Sequence, residues 1–416
     1  MINLFHDRRA RYAVCLSLVA LLACALLLAG CGKNLPSENA SNDTNTVDKY
    51  IDPGNWYAGD AHMHSEYSEL SVTHDGQGTL EEWADAAFAR EHLSWIVMTE
   101  HGPNLGFENG YVSTFDIKRA RNRWNEATSE MESLESSGKA GCMMLGEEMG
   151  TAVGGHLVAF QTSDYVVDSP FDMDESGFIQ RVGEAGGFCF IAHPFEEQFQ
   201  IWLWPDFERY ITGIDTQSTL RGFELLSGTH NDPELNGLLK IWDKHLLSGE
   251  RVLVIGSTDA HKPEDVGKAI RTYVYVEGRD DHRLNGEDHD RVLDALRNGH
   301  SVVTTGPVAF FMVTNRRTGE VAGIGDELGV QPGDMLEIST RCDDQEVPCK
   351  EIKIYGSILP QEGLTLSPDQ SQEIQVPEGE GVTAGSTGYL RLEGYRESGA
   401  QREQGACYSN PIFLTF

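Results

Sequence analysis

The sequence predicts an α/β fold, a mainly parallel sheet closed into a barrel with helices outside, followed by a small antiparallel β-domain. Three observations lead there. Short apolar, β-branched runs alternate with helical patterns over residues 51–300, and the runs end in ionisable residues. Beyond about Gly306 the pattern changes to period-two strands separated by Gly- and Pro-rich turns. At 416 residues and 40% hydrophobic, the chain can bury a large core and is long enough for two domains.

The N-terminus reads as an export signal rather than as fold. Arg8, Arg9 and Arg11 precede an apolar run from Ala13 to Leu28 that ends in small residues, which makes residues 1–30 a signal peptide. An uncleaved single-span anchor is the alternative. Leu28-Ala29-Gly30-Cys31 resembles the bacterial lipobox, which implies that Cys31 becomes the lipid-modified first residue of the mature protein. Gly32, rather than Asp, follows that cysteine, so the resemblance implies an outer-membrane lipoprotein facing the periplasm or the cell surface. Residues 31–50 are then the lipidated cysteine and its tether, because Lys33 to Lys49 is rich in Ser, Asn, Thr and Asp and nearly free of apolar residues.

A formal net charge of -33 repels nucleic acid and anionic membranes, and excludes nucleic acid as a partner. It also repels polyanionic substrates unless bound cations reverse the local potential. Cys142 and Cys189 lie in apolar runs and read as core thiols, while "RCDDQEVPCK" would close a small loop between Cys342 and Cys349 in an oxidising compartment. There is no C-x-x-C pattern, so a thiolate zinc site is not expected.

The first run of the predicted barrel, "YAGDAHMHSEYSEL", places His62 and His64 on one face of a strand, an arrangement suited to a transition metal or to a wet surface strand. "TLEEWADAAFAREHL" follows as a helix, with Thr79 and Glu82 as a capping box and Leu80, Trp83 and Ala87 as its apolar face. "LSWIVMTEHG", "GCMMLGEEMG", "GFCFIAHPF" and "RVLVIGSTDAHK" are further buried strands, with helices over Phe178 to Glu184 and Leu235 to Leu247 between them. Trp95–Met98 leads to Glu100 and His101, Phe188–Ile191 to His193, and Val252–Ile255 to Asp259 and His261. Six of the fourteen histidines (62, 64, 101, 156, 193 and 261) sit at or near such ends, which converge on one face of an α/β barrel. Six converging imidazoles need a common partner, and a metal cluster supplies one. A last helix carries Val292, Leu293 and Leu296 and stops at Gly299. "EIKIYG", "YLRLEGY" and "PIFLTF" then predict an antiparallel β-sandwich over residues 301–416, to which no chemistry is assigned.

In order along the chain, "HMHS", "TEHG", the Gly-x-Glu of Gly146 to Glu148, "GGH" ending at His156, "AHP" and "TDAH" resemble the PHP (polymerase and histidinol phosphatase) family of metal-dependent hydrolases, from about Tyr57 to Ile270. The stretch from "GKAIRTYVYV" to "VLDALRNGHSVVTTGP" and the trailing β-domain are most similar to its carbaryl-hydrolase-like branch. The resemblance implies a distorted (β/α)7 barrel with two or three divalent metals per chain. His62, His64, Glu148 and Asp259 would hold one metal, and Glu148 would bridge to a second bound by His156 and His193. His101 and His261 would serve a third site or orient the first two. Glu147 is the alternative to Glu148 as the bridge. Such mixed imidazole and carboxylate sets suit zinc, manganese or iron.

The chain departs from the family pattern after "HMHS", where "SELSVTHDGQGTL" inserts residues. Glu69, His74 and Asp75 compete there for an acidic position in the third site, and Asp75, followed by Gly76, is preferred. "TEH" replaces the family's "TDH", so Glu100 reaches differently from the usual aspartate. The implied activity is hydrolysis by metal-activated water, with Asp259 or His261 moving the proton, on a small-molecule ester. A phosphate ester is the first expectation. A carboxyl or carbamate ester is the alternative, as is a non-catalytic metal- or ligand-binding surface lipoprotein. No G-x-S-x-G elbow supports a serine esterase. Glu224 and Arg271 are candidate substrate-binding residues. Glu224 equally suits a role behind the ligands or a structural one, and Arg221 and Arg271 equally suit surface ion pairs.

Overall fold

The computed structural model describes residues 48–416 apart from 69–75, 103–104, 106, 109–110, 151–154, 168–173, 196, 199–200, 203–206, 229–231, 268–269, 280–282, 344–346, 379–384 and 398–404. Strands β1 (Trp56–Met63), β2 (Trp95–His101) and β3 (Cys142–Met149) are parallel neighbours. Strand β4 (Leu157–Phe160) pairs antiparallel with β3, and β5 (Phe188–Ile191) antiparallel with β4. Parallel pairing then resumes through β6 (Leu220–Ser227) and β7 (Leu253–Ser257). On the other side of β1 lie β8 (Arg271–Tyr275) and β9 (Ser301–Thr304), both joined by antiparallel ladders.

The C-terminal strands do not form a sandwich of their own. Strands β10 (Val308–Asn315) and β11 (Met335–Asp343) build a separate four-stranded sheet with Val321–Gly323 and Ser371–Gln375. Strands β12 (Glu351–Gly356), β13 (Thr387–Tyr395) and β14 (Ala406–Ser409) instead extend the large sheet from β9, and β15 (Ile412–Thr415) pairs with β13. The large sheet therefore runs β7-β6-β5-β4-β3-β2-β1-β8-β9-β14-β13-β12 and ends on Leu364–Leu366.

This corrects the expected distorted (β/α)7 barrel with a β-sandwich behind it. The protein is mostly β, a mixed sheet curled into a half-barrel plus a four-stranded sheet. Six α-helices lie among the described residues: α1 (Leu80–Ala84), α2 (Ile117–Ser136), α3 (Glu175–Glu184), α4 (Glu208–Ile211), α5 (Asp232–Leu247) and α6 (His289–Asn298). Two features depart from a closed, alternating βα barrel. The short run Leu157–Phe160 turns back as a strand, so β3, β4 and β5 pair antiparallel, with α3 in the connection between β4 and β5. The segment that follows β7 meets β1 through an isolated Met63–Ala260 bridge rather than a ladder, and beside it His64 N–H donates to Ala260 O at 2.9 Å.

Local chemistry accounts for these elements. Thr79 and Glu82 form the reciprocal capping box that opens α1, whose last residue leads into π-helical turns over Asp85–Arg90. Gly299 adopts φ 76°, the left-handed turn that ends α6. Gly59 lets β1 lie against β2, because a Cβ there would come within 2.1 Å of the Trp95 ring. The buried outer edge of β7 is satisfied by a side chain: Asn410 accepts from Val254 N–H and donates to Val254 O, both at 2.8 Å. Arg391 on β13 is buried and reaches Asp243 of α5 with two nitrogens, at 2.8 and 2.9 Å, which ties that helix to the C-terminal strands. Among the described residues no helix is long and apolar enough to cross a membrane.

Strands β1, β2, β3, β5, β6 and β7 all run the same way, and β4 runs against them. The residues that leave the first set and the residue that enters β4 therefore share one rim. His64, His101, His193, Asp259 and His261 leave strands there, and His156 enters β4 there.

Candidate metal centre

Glu148, near the end of β3, is the hub of that rim. Its Oε1 lies 2.9 Å from His156 Nδ1, 3.3 Å from His193 Nε2 and 3.6 Å from His62 Nε2. Its Oε2 lies 2.7 Å from His101 Nδ1 and 3.5 Å from His64 Nε2. Five imidazoles thus surround one buried carboxylate. Asp259 Oδ1 closes the arrangement at 3.3 Å from His62 Nε2 and 3.2 Å from His64 Nε2, and those two nitrogens are 3.0 Å apart. Donors bound to one cation at about 2.0–2.2 Å stand roughly 2.9–3.5 Å from each other in octahedral or tetrahedral geometry. Most of the observed spacings fall in that range, and the extremes, 2.7 and 3.6 Å, lie just outside it.

Three sets of donor atoms each converge within 4.8 Å: His62, His64 and Glu148; Glu148, His156 and His193; and His64, His101 and His261. The sets overlap at His64 and Glu148. The buried His and Glu groups could hold a metal ion.

The groups behind these donors fix which nitrogen faces inward. Glu224 Oε1 is 2.9 Å from His62 Nδ1, so the carboxylate accepts the Nδ1 proton and Nε2 presents its lone pair to the cluster. His261 Nδ1 donates to the Asp259 carbonyl at 2.8 Å. Glu100 accepts from Ser65 Oγ at 2.5 Å and from Ser68 Oγ, and Ser68 Oγ in turn takes the His101 N–H at 2.8 Å and lies 3.4 Å from His64 Nδ1. Asp60 accepts from Thr258 Oγ1 at 2.6 Å and from the N–H groups of Thr258 and His62, which welds the end of β1 to the exit of β7.

Electrostatics point the same way. Burial opposes a charge on His62, but Asp259, Glu224 and Glu148 outweigh it and push its pKa well up. Burial, with His101 and His261 alongside, pushes His64 well down. Burial also opposes ionisation of Glu148, Asp259 and Glu224, yet the surrounding imidazoles hold all three below the usual carboxylate range. Several buried carboxylates set among imidazoles are suited to a cation. His193 at φ 29° and Asp259 at φ 50° occupy a region that non-glycine residues rarely adopt, so the backbone is strained where it delivers two of the donors.

The structure brings together His62, His64, His101, Glu148, His156, His193, Asp259 and His261. Glu147 turns to the opposite face, where it accepts the N–H groups of Val166 and Val167 and burial raises its pKa to about 8. Glu224 lies beneath the ligands and is fully buried. Arg271 is 3.8 Å from Glu91, and the buried Arg221 donates to the carbonyls of Arg297 and Asp215. Cys31, Glu69, His74 and Asp75 lie outside the described residues. Sequence reasoning missed Ser65, Ser68, Asp60 and Ser257. Ser65 stands inside the "HMHS" match and Ser68 follows three residues on, whereas nothing local distinguishes Asp60 or Ser257.

Together these features define a class: a curled, mixed β-sheet protein with a buried histidine–carboxylate cluster at one rim. Comparison with family models, with curated proteins and with solved structures finds no match for this chain.

Proposed function

We propose that the protein is a metal-dependent hydrolase that uses a multinuclear centre of PHP type, and that its substrates are phosphate esters. One observation carries the reading: a single carboxylate, Glu148, stands between two histidine sets and within 3.6 Å of five imidazoles, as a bridging ligand does. The donor set of nitrogen and oxygen without sulfur suits zinc, manganese or iron, two or three per chain. Cations bound there would supply Lewis-acid activation of water and of the attacked ester.

The chain's own residues do the rest. Glu224 and Ser68 hold the rings of His62 and His64 from behind. Asp259 reaches those same rings with Oδ1, and its backbone carbonyl takes the His261 Nδ1 proton. That bond commits His261 Nδ1 and leaves Nε2 as the atom that would exchange a proton with the substrate when two cations are bound, or join His64 and His101 when a third is. His261 is 36% exposed, the most open ring of the set, and so stands where substrate can meet it. In a chain of net charge -33, a cation cluster is the feature that would draw in an anionic ester. The same proposal has the enzyme exported and tethered to the outer membrane through a lipid on Cys31.

The test supplies the mature protein with Mn²⁺ or Zn²⁺ and compares p-nitrophenyl phosphate with aryl acetates and aryl carbamates, against a His62→Ala, His64→Ala control. Turnover of the phosphate above the control is expected. Turnover of acetates or carbamates alone moves the assignment to carboxyl or carbamate esters, and no turnover above the control on any of them refutes a hydrolase.

A further inference from the structure

Glu224, on β6 beneath the cluster, hydrogen-bonds to residues at the ends of three other strands that feed the rim. It is fully buried on β6, next to a register shift in the pairing of β6 with β7 that lies between Glu224 and Leu226. Both oxygens are engaged. Oε1 takes the His62 Nδ1 proton at 2.9 Å and the Ser257 hydroxyl at 2.6 Å, and Oε2 takes the backbone N–H of His193 at 2.8 Å. Through these bonds one side chain touches the end of β1, the exit of β5 and the end of β7. Its contacts reach two histidines that belong to different donor sets, His62 and His193.

A carboxylate can only accept hydrogen bonds, so it selects the partner that carries the proton. Facing His62, it requires hydrogen on Nδ1 and leaves Nε2 as the donor atom. The contact on His193 is to the main chain, where the backbone is held at φ 29°, and it fixes the place from which that ring projects. An amide would not replace it. Its oxygen can face His62 and Ser257 only if its NH₂ faces the His193 N–H, which sets two donors against each other. An acid with both oxygens directed at ligand-bearing segments is a positioning device, and its full burial removes it from direct contact with a substrate.

We propose that Glu224 is a positioning residue for the metal centre, which sets the tautomer of His62 and the placement of His193 so that both donor sets can close on cations. The inference rests on the metal-centre reading above. Its test is zinc affinity, measured by equilibrium dialysis against a competing chelator, for wild type and Glu224→Gln, together with imidazole ¹⁵N spectra of the zinc-loaded wild type. Zinc affinity is expected to fall about 10- to 100-fold in the variant, the range for loss of a carboxylate behind a ligating histidine. In the spectra, His62 should carry its proton on Nδ1. A folded Glu224→Gln that holds zinc within about threefold of wild type overturns the proposal and leaves the metal centre standing. A His62 proton on Nε2 overturns it even if the variant fails to fold. A wild type that takes up no zinc, manganese or iron overturns the metal centre itself, and this role with it.

Discussion

Glu148→Gln keeps the shape of the side chain at the hub of the cluster and removes its charge. Two of the three donor sets include Glu148, and only His64, His101 and His261 converge without it. Loss of a group behind a ligand costs about 10- to 100-fold in affinity. Glu148 faces the imidazoles directly, so each of its two sets should weaken by at least about 100-fold, roughly 2.7 kcal/mol. The consequence is readable in stability. With free Zn²⁺ at about 100 times the dissociation constant, each site stabilises the wild type by about 2.7 kcal/mol; the same concentration then only equals the variant's constant and contributes about 0.4 kcal/mol. Urea titrations with and without Zn²⁺ measure both values, and elemental analysis after dialysis should find no more than one cation per variant chain. Glu147→Gln is the internal control, because its carboxyl faces Val166 and Val167 and its zinc response should match wild type. A Glu148→Gln protein that binds two cations and keeps its full stabilisation would refute the bridging role.

Two further predictions concern the C-terminal strands. Asp334 accepts from Arg317 Nε at 2.5 Å, Arg317 Nη2 at 2.9 Å and Asn315 Nδ2 at 2.9 Å, and the Arg317 bond is the main cause of a carboxyl lowered to about 2. A depressed acid stabilises the fold above its unfolded pKa, and that contribution is lost as pH falls from about 4 through 2. With Arg317 half exposed, Asp334→Asn should cost about 1–2 kcal/mol at pH 7 and nearly nothing at pH 2, read from urea unfolding at both pH values; a cost that does not change with pH contradicts this. Arg391→Met should destabilise by about 3–5 kcal/mol in the same assay, because it leaves Glu393 buried without the Nη1 contact at 2.7 Å. Arg391→Met with Glu393→Leu should recover much of the loss, and a single-variant cost below about 1 kcal/mol would show that the ion pair is unimportant.

The strands were legible in the sequence, but their directions were not. Capping at Thr79, the stop at Gly299 and the apolar runs that became β2, β3, β5 and β7 follow local rules that propensity and periodicity capture. A four-residue run such as Leu157–Phe160 carries no mark of whether it crosses over or turns back, and that turn removes the βα alternation. The attachment of β14 to β9 depends on the Val302–Ser409 to Thr304–Cys407 register, a contact between segments about a hundred residues apart. The site was more legible than the fold, since chemistry restricts which residue types can converge and the order of the histidine and acid motifs was visible. What lies behind the ligands was harder to see. Glu224 could be singled out but not assigned one role, and Ser68 and Asp60 act through hydrogen bonds to other strands, which leave no spacing rule in their own neighbourhood.

The central claim is that imidazoles and carboxylates from separate strand ends jointly cage at least two cations at one rim. Anomalous difference maps from crystals of the Zn²⁺-loaded protein test it directly. Two or more peaks are predicted beside Glu148, each at about 2.0–2.2 Å from nitrogen and oxygen donors of the His62, His64, His156 and His193 sets. Peaks confined to the outer surface, or no peak within coordination distance of Glu148, would contradict it.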